Sequence, residues 1–450
     1  MGIPRRALFV AVAGSTQTRE IARQAAATPP LGLMSIASVL RMHGWQTALT
    51  DLLVEDLTRQ EFLGRVSRFA PGVIGLSCYT ETVNATKEVA REARSVCPHA
   101  IIVVGGPHPS FDPEAFLADG TADYVVMREG EASIVELAAR LECGLDGENV
   151  RGVAYRRNGK IVVNQPRPYL QCLDQLPFTA YDLAPRDAYV VATSIVSSRG
   201  CPGRCAFCAS ASLSGHRYRA RSPEHLFSEV YHRYLQTRDR YFVLFDDAFT
   251  TDTRRVLAFC RLLRYSGLGL VWRCDSRVDA VDEALLAELA ASGCIAVHYG
   301  VESGDQGVLD SIGKKIRVAQ VERVVAATAE LGMKPMCSFI IGHAEDTEET
   351  VARTVAFMRH LKDRYGAVVA YSCLVPYPGT PVARRAAELG LRVETQTWEE
   401  YNTNNVIIST RHLSRERLRE LLYDVRGDER LAGPAGLQER GEPVTPAAAG

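Results

Sequence analysis

The chain has 450 residues, 46% of them hydrophobic, with 52 basic and 53 acidic side chains and a formal net charge of −1. That length gives room for two or three domains with buried cores, and an even charge without a long block of one sign argues against a nucleic-acid partner. The apolar runs reach roughly ten residues, short of the ~20 that span a bilayer, and no signal-like segment opens the chain, so a cytoplasmic protein with no membrane partner is expected.

From Arg5 to Cys143, apolar runs alternate with amphipathic segments, the pattern of a parallel sheet flanked by helices. Strands are expected at Ala7 to Val12, Gln46 to Asp51, Val73 to Cys78, Ile101 to Gly105 and Tyr124 to Met127. Leu33, Ile36, Ala37 and Leu40 recur on one face of a helix closed by Gly44. Residues 1–148 therefore read as a Rossmann-like, doubly wound α/β domain with its ligand at the carboxyl ends of the strands.

Residues 149–188 read as a hairpin and linker, with Asn158-Gly159 marking a primed turn and Pro177 and Pro185 in the linker. A second strand-helix series follows over residues 189–390, with strands at Val190 to Val196, Tyr241 to Phe245, Leu270 to Cys274, Ile295 to Val301, Pro335 to Ile341 and Val368 to Val375. These units predict a partial (β/α)6 barrel with its chemistry at the carboxyl-terminal mouth. Residues 391–426 are expected to cap that mouth, with Tyr401, Asn402, Asn404 and Asn405 available to substrate, and the Gly-, Pro- and Ala-rich residues 427–450 to be a disordered tail.

Three of the chain's 12 cysteines, Cys201, Cys205 and Cys208, fall in one short loop after the first barrel strand. Gly200, Pro202 and Gly203 let that loop wrap closely around an inorganic core, and three thiolates on a 4Fe-4S cluster leave one iron free to bind a ligand. A closed zinc site would need a fourth ligand, which His216 could supply. Cys260, Cys294, Cys337 and Cys373 lie in apolar runs, where cysteine packs as a small hydrophobe.

The CxxxCxxC loop, with Phe207 just before its third cysteine, resembles that of the radical S-adenosylmethionine enzymes. So do Phe245-Asp246-Asp247, the run from Arg273 to Arg277, Gly300-Val301-Glu302-Ser303-Gly304, Ile340-Ile341-Gly342 and Pro376-Tyr377-Pro378-Gly379-Thr380-Pro381, although Ala344 stands where proline is usual. The resemblance implies that Phe207, Asp246, Glu302, Ile341 and Gly342 bind S-adenosylmethionine, Asp246 at the amine, Glu302 at the ribose or methionine end, and the last two at the adenine. It also implies an external electron donor such as flavodoxin or ferredoxin. The absence of a second cysteine triplet and of a basic appendage sets the chain apart from RNA methylthiotransferases.

The first domain resembles the cobalamin-binding domains fused ahead of many such enzymes, through Gly75-Leu76-Ser77-Cys78-Tyr79, Gly105-Gly106-Pro107-His108 and Glu129-Gly130-Glu131. The resemblance implies that Ser77, Cys78, Tyr79, Gly105, Gly106, Pro107, His108, Glu129 and Gly130 line the cobalamin groove. The DxHxxG loop that supplies a cobalt-ligating histidine is absent, so cobalamin is expected base-off without a histidine ligand; Arg128 departs from the glycine usual there. The activity implied is methyl transfer from methylcobalamin to an unactivated carbon of a small-molecule substrate, opened by a 5′-deoxyadenosyl radical. A non-methylating ring formation or rearrangement is the alternative, ahead of a noncatalytic cobalamin or redox sensor.

Overall fold

The computed structural model describes residues 3–14 and 28–431. The chain divides into two compact units, the first comprising Met1–Gln171, Gln175–Ala192 and Thr397–Tyr401, the second Cys172–Asp174, Thr193–Gln396 and Asn402–Gly450.

The first unit is built on β1 (Arg6–Ala11), β2 (Gln46–Asp51), β3 (Val73–Ser77), β4 (Ile101–Gly105), β5 (Tyr124–Val126), β6 (Val153–Arg157) and β7 (Lys160–Val163), in the order β2-β1-β3-β4-β5-β6-β7. The first five are parallel and joined by helices, and the order reverses at β1, which puts the ligand crevice at the carboxyl ends nearby. Leu8, Val10, Ile74, Leu76, Ile102, Val104 and Val125 fill the core, as expected of strands covered on both faces. β6 and β7 add an antiparallel hairpin whose turn residues Asn158 and Gly159 have φ of 51° and 78°, the two left-handed positions of a type I′ turn.

In the second unit β8 (Ser194–Ile195), β11 (Tyr241–Leu244), β12 (Val271–Ser276), β13 (Cys294–Glu302), β14 (Lys334–Ile341) and β15 (Val368–Cys373) form one parallel sheet in chain order. Each strand lies beside its predecessor, the wall of a barrel left open between β8 and β15. β9 (Ser198–Arg199) and β10 (Arg219–Ala220) pair separately on either side of the cysteine loop. Side chains alternate strictly on β12: Trp272 stacks on Phe242 and meets Phe259 of helix Thr253–Ser266, while Arg273 and Asp275 point to the opposite, inner face.

Two expectations are corrected. The strand drawn from Val190 to Val196 shrinks to Ser194–Ile195, because the residues before Thr193 belong to the first unit, where the Tyr189 hydroxyl donates to Asp51 at 2.8 Å. The segment at Trp398 is likewise not wholly a cap of the barrel. Thr397–Tyr401 packs in the first unit, with the Trp398 ring edge-on to His108 at 4.8 Å and Glu399 accepting from Asn84 at 2.7 Å. Of the tail expected to be disordered, residues 427–431 are described and ordered by Arg359 donating to Asp428 at 2.6 Å, and residues 432–450 lie outside the described set.

Candidate active site

The cysteine loop is tied at its neck. Cys201 N–H donates to Gly215 O at 3.2 Å, and Gly200 adopts φ of 83° where a Cβ would come within 2.3 Å of Arg217 O. Its far end is anchored by Ala206 N–H donating to Ile312 O at 2.9 Å. A Cβ on Gly203 would lie 3.3 Å from Cys201 Sγ and 2.8 Å from an Arg277 nitrogen, so glycine keeps open the cradle beside the thiols.

Cys201, Cys205 and Cys208 are free and half-buried, and burial pushes the thiols of Cys201 and Cys208 up from their ordinary range. Arg277, gripped by Asp279 at 2.8 and 2.9 Å and by Lys314 O at 3.0 Å, brings its guanidinium within 3.8 Å of Cys205 Sγ. Three soft sulfur donors, desolvated and beside a fixed positive charge, suit an iron-sulfur cluster, whose irons carry the charge that makes buried thiolates stable. A single zinc ion fits less well. His216, the candidate fourth ligand of a closed zinc site, has its Nδ1 3.2 Å from Gly203 O.

The residues predicted for S-adenosylmethionine fall around the carboxyl ends of the same sheet, several of them already engaged. Asp246 is fully buried: Oδ1 accepts from the N–H groups of Ser197 and Ser198 at 2.6 and 3.0 Å, and Oδ2 accepts from the Ser197 hydroxyl. Burial raises its carboxyl, and Arg255, which donates to the same Ser197 hydroxyl at 2.7 Å, pulls it back. Asp246 is thus a brace for the strand leading into the cysteine loop, and its neighbour Asp247 is the more exposed carboxylate, hydrogen-bonded by Ser210.

Glu302 ends β13 after a register shift, with φ of 75°, a left-handed backbone that a non-glycine residue holds only where its surroundings enforce it. Buried Lys314 donates to its Oε1 at 2.8 Å, and the His343 ring hydrogen-bonds its backbone. The Ile341 carbonyl accepts from Leu374 N at 2.8 Å and Gly342 N–H donates to Asp346 Oδ2 at 2.9 Å, so these backbone groups serve the loop itself. Asp346 also accepts from His343 N–H and the Thr350 hydroxyl, at 2.9 and 2.8 Å. Phe207 lies 5.7 Å from the His343 ring, centroid to centroid. Lys314, His343 and Asp346 were not singled out from the sequence. Asp346, four residues past Gly342 at the mouth of a helix, was the one with a readable signal.

In the first unit the predicted groove residues separate into rim and core. Ser77, Gly105, Gly106, Pro107 and Glu129 are partly accessible at the strand ends, and Tyr79 is 57% exposed. Cys78, His108 and Gly130 are enclosed: burial pushes the Cys78 thiol up to about 12, and the His108 ring sits between Trp398 and Phe116 with Nδ1 3.3 Å from the Thr80 hydroxyl. Gly106 is required for packing, since a Cβ there would stand 2.7 Å from Cys78 O. Arg128 holds the left-handed φ of 61° that makes glycine usual at that point, its N–H donating to Ser110 Oγ at 2.7 Å.

Comparison with known proteins fits both halves. Residues 21–138 match the B12 binding domain and residues 195–358 the radical SAM superfamily. An uncharacterized methyltransferase of Pyrococcus horikoshii is 31% identical over 399 residues, 88% of this chain and 86% of its own. The chain belongs to the cobalamin-binding radical S-adenosylmethionine methyltransferase family. This family member is also similar to the anaerobic magnesium-protoporphyrin IX monomethyl ester cyclase of Rubrivivax gelatinosus, 26% identical over 83% of this chain and 68% of that one. Its fold matches the radical S-adenosylmethionine methyltransferase TsrM from Kitasatospora setae, solved with cobalamin and a [4Fe-4S] cluster, at a TM-score of 0.76 and 18% identity, covering 96% of this chain and 90% of that one.

Proposed function

We propose that this enzyme methylates an unactivated carbon of a small, natural-product-like molecule. The observation that carries the reading is the loop of three free thiols at the mouth of a partial barrel, on a chain whose other half matches a B12 binding domain. Cys201, Cys205 and Cys208 would hold the 4Fe-4S cluster, and Phe207, Glu302, Ile341 and Gly342 would line the S-adenosylmethionine site, with Asp247 rather than Asp246 presenting a carboxylate to the amine. Ser77, Tyr79, Gly105, Gly106, Pro107 and Glu129 would meet cobalamin, and His108, enclosed between Trp398 and Phe116, is not among them. When bound, these cofactors supply a hydrogen-abstracting radical and a transferable methyl group.

The protein's own part is to hold charge still. Lys314 fixes the Glu302 carboxylate, Asp346 fixes the backbone at Gly342 and His343, and Arg277 sets a positive charge beside the cysteine loop, so that ligands meet a preorganised field. Electrons would come from a flavodoxin or ferredoxin. Among the described residues no helix is long and apolar enough to cross a membrane, and a cytoplasmic setting suits an oxygen-sensitive cluster.

Anaerobically reconstituted protein in single turnovers should form both 5′-deoxyadenosine and S-adenosylhomocysteine. If only 5′-deoxyadenosine forms and the product has lost hydrogen without gaining a carbon, the second reading holds, a ring formation of the kind named for the Rubrivivax relative.

A further inference from the structure

On the inner face of the barrel wall, one pair of side chains has no part in the loop, the braces or the ion pairs described above. Asp275 on β12 and His298 on β13 are register partners, and His298 Nδ1 lies 3.3 Å from Asp275 Oδ1. Their flanking residues are committed to the helix layer: Cys274 and Tyr299 are fully buried, and the Tyr299 hydroxyl bonds Thr328 of helix Val318–Glu330 at 2.9 Å. By strand alternation Asp275 and His298 point the other way, into the open interior, where their side chains remain 31% and 35% exposed.

Asp275 is two residues before Arg277, whose guanidinium touches Cys205 Sγ at 3.8 Å. Two residues of strand span about 7 Å, so the pair sits one pleat repeat deeper than the cysteine loop on the same face. The neighbours on this face leave the pair free. Arg273 turns its guanidinium toward the Phe245 ring at 5.8 Å and the Met336 sulfur at 3.7 Å, and Arg277 is spent on Asp279. Asp247, near enough to Asp275 for their charges to repel, brings another acceptor. With Nδ1–H donated to a carboxylate, neutral histidine presents the lone pair of Nε2 outward, and His298 Nε2 has no protein partner among the described residues.

We infer that His298, aligned by Asp275, is a substrate-contacting residue that accepts a hydrogen bond from an O–H or N–H group beside the carbon to be attacked. The inference rests on the radical-enzyme reading proposed above and deepens it: the substrate is an aliphatic alcohol or amine at its reacting end, and an anionic group is unwelcome there. Asp275 is the positioning residue that holds the tautomer. Replacing it by asparagine lets the amide donate to Nδ1, turning Nε2 into a donor and inverting the preference.

The probes are ethanolamine deuterated at both carbons and perdeuterated propionate, offered separately to the reduced holoenzyme with S-adenosylmethionine. A probe docked on His298 loses a deuterium when its C–D bond breaks homolytically, and the label appears on the 5′ carbon of 5′-deoxyadenosine. The wild type should take label from ethanolamine and little from propionate. Per 5′-deoxyadenosine formed, H298F should lose about tenfold of that label, the worth of one hydrogen bond, while H298Q, which keeps an acceptor, retains part. D275N should shift the label toward propionate. In parallel, the His298 nitrogen signals of 15N-histidine-labelled, oxidised holoenzyme should move on adding ethanolamine in the wild type and not in D275N.

Equal label from both probes, or H298F matching the wild type, overturns the inference while 5′-deoxyadenosine formation still stands. If no variant forms 5′-deoxyadenosine, the radical reading fails instead. The nitrogen shifts then decide the contact alone: a His298 signal that ignores ethanolamine ends it.

Discussion

The two units treat the carboxyl ends of their strands differently. In the first, the predicted groove residues divide between an accessible rim, such as Ser77, Tyr79 and Gly105, and a core that has absorbed Cys78, His108 and Gly130. In the second, the charged residues near the loop are tied to other protein groups: Asp246 to Ser197, Glu302 to Lys314, Asp346 to the Gly342 loop and Arg277 to Asp279. A wide, flat ligand is met by shape and backbone, and fixing many charges would gain little. A site that must cleave a bond on a charged cosubstrate gains from charges that do not reorganise. The first unit is a shelf and the second a rigid electrostatic frame.

The hardest way to break that contrast is to remove the thiols. The triple variant C201A, C205A and C208A should lose bound iron and sulfide and all 5′-deoxyadenosine formation, yet retain cobalamin after desalting at the wild-type ratio. Loss of cobalamin together with iron would mean that the shelf depends on the frame.

A smaller effect tests the frame itself. Lys314→Met leaves the Glu302 carboxylate buried without its partner, which costs about 3–5 kcal/mol in such settings. Denaturant unfolding should show the transition of the second unit moving to lower concentration, with that of the first unit in place. Lys314→Met together with Glu302→Gln should recover much of the loss, because the stranded charge is gone.

Much of this was legible beforehand, and the boundary is instructive. The strands β2 and β4 fall where apolar runs between turn residues put them, and Asn158-Gly159 turns as its chemistry demands. The cysteine spacing pointed to its loop because all three donors lie within one local segment. What stayed hidden depends on partners distant in the chain or on backbone detail. Lys314 finds Glu302 only through the bulge at the end of β13, Asp275 meets His298 only through strand register, and Trp398 joins the first unit after the chain has passed through the whole second sheet. At Asp246 a motif identifies a carboxylate, and only the fold shows that both its oxygens accept bonds from Ser197 and Ser198.

His343 links the frame to pH. Burial, against the pull of the Glu302 charge, pushes its imidazole down to about 4, well below the ordinary 6.5. Its folded-state pKa is therefore depressed, so the folded protein resists a proton that the unfolded chain accepts. Stability is whole above about 6.5 and is lost as pH falls toward 4, by up to about 3 kcal/mol at the lower end. Denaturation of the second unit followed across that window should show the slope, and His343→Phe should flatten it. An unchanged slope in that variant would assign the acid sensitivity to another group.

The smallest effect sharpens the role of Asp246. If it braces the strand before the cysteine loop, Ser197→Ala, which removes one donor and leaves a buried carboxylate oxygen short of a partner, should cost about 1–3 kcal/mol of stability. Asp246→Asn should cost a similar amount, because its amide cannot accept at both positions where the carboxylate now does. In both variants the affinity for S-adenosylhomocysteine, measured by calorimetry on folded protein, should change by less than about threefold, since no charge that meets the ligand has been removed. Asp247→Asn should behave in the opposite way, with stability little changed, since a weaker bond to Ser210 is set against relief of the repulsion with Asp275 and of the burial of a charge, and with affinity reduced about tenfold or more through loss of a charge-assisted bond to the amine. If instead Asp246→Asn abolishes binding while Asp247→Asn is silent, the carboxylate that meets the amine is the buried one, and the Ser197 contacts must open when the ligand enters.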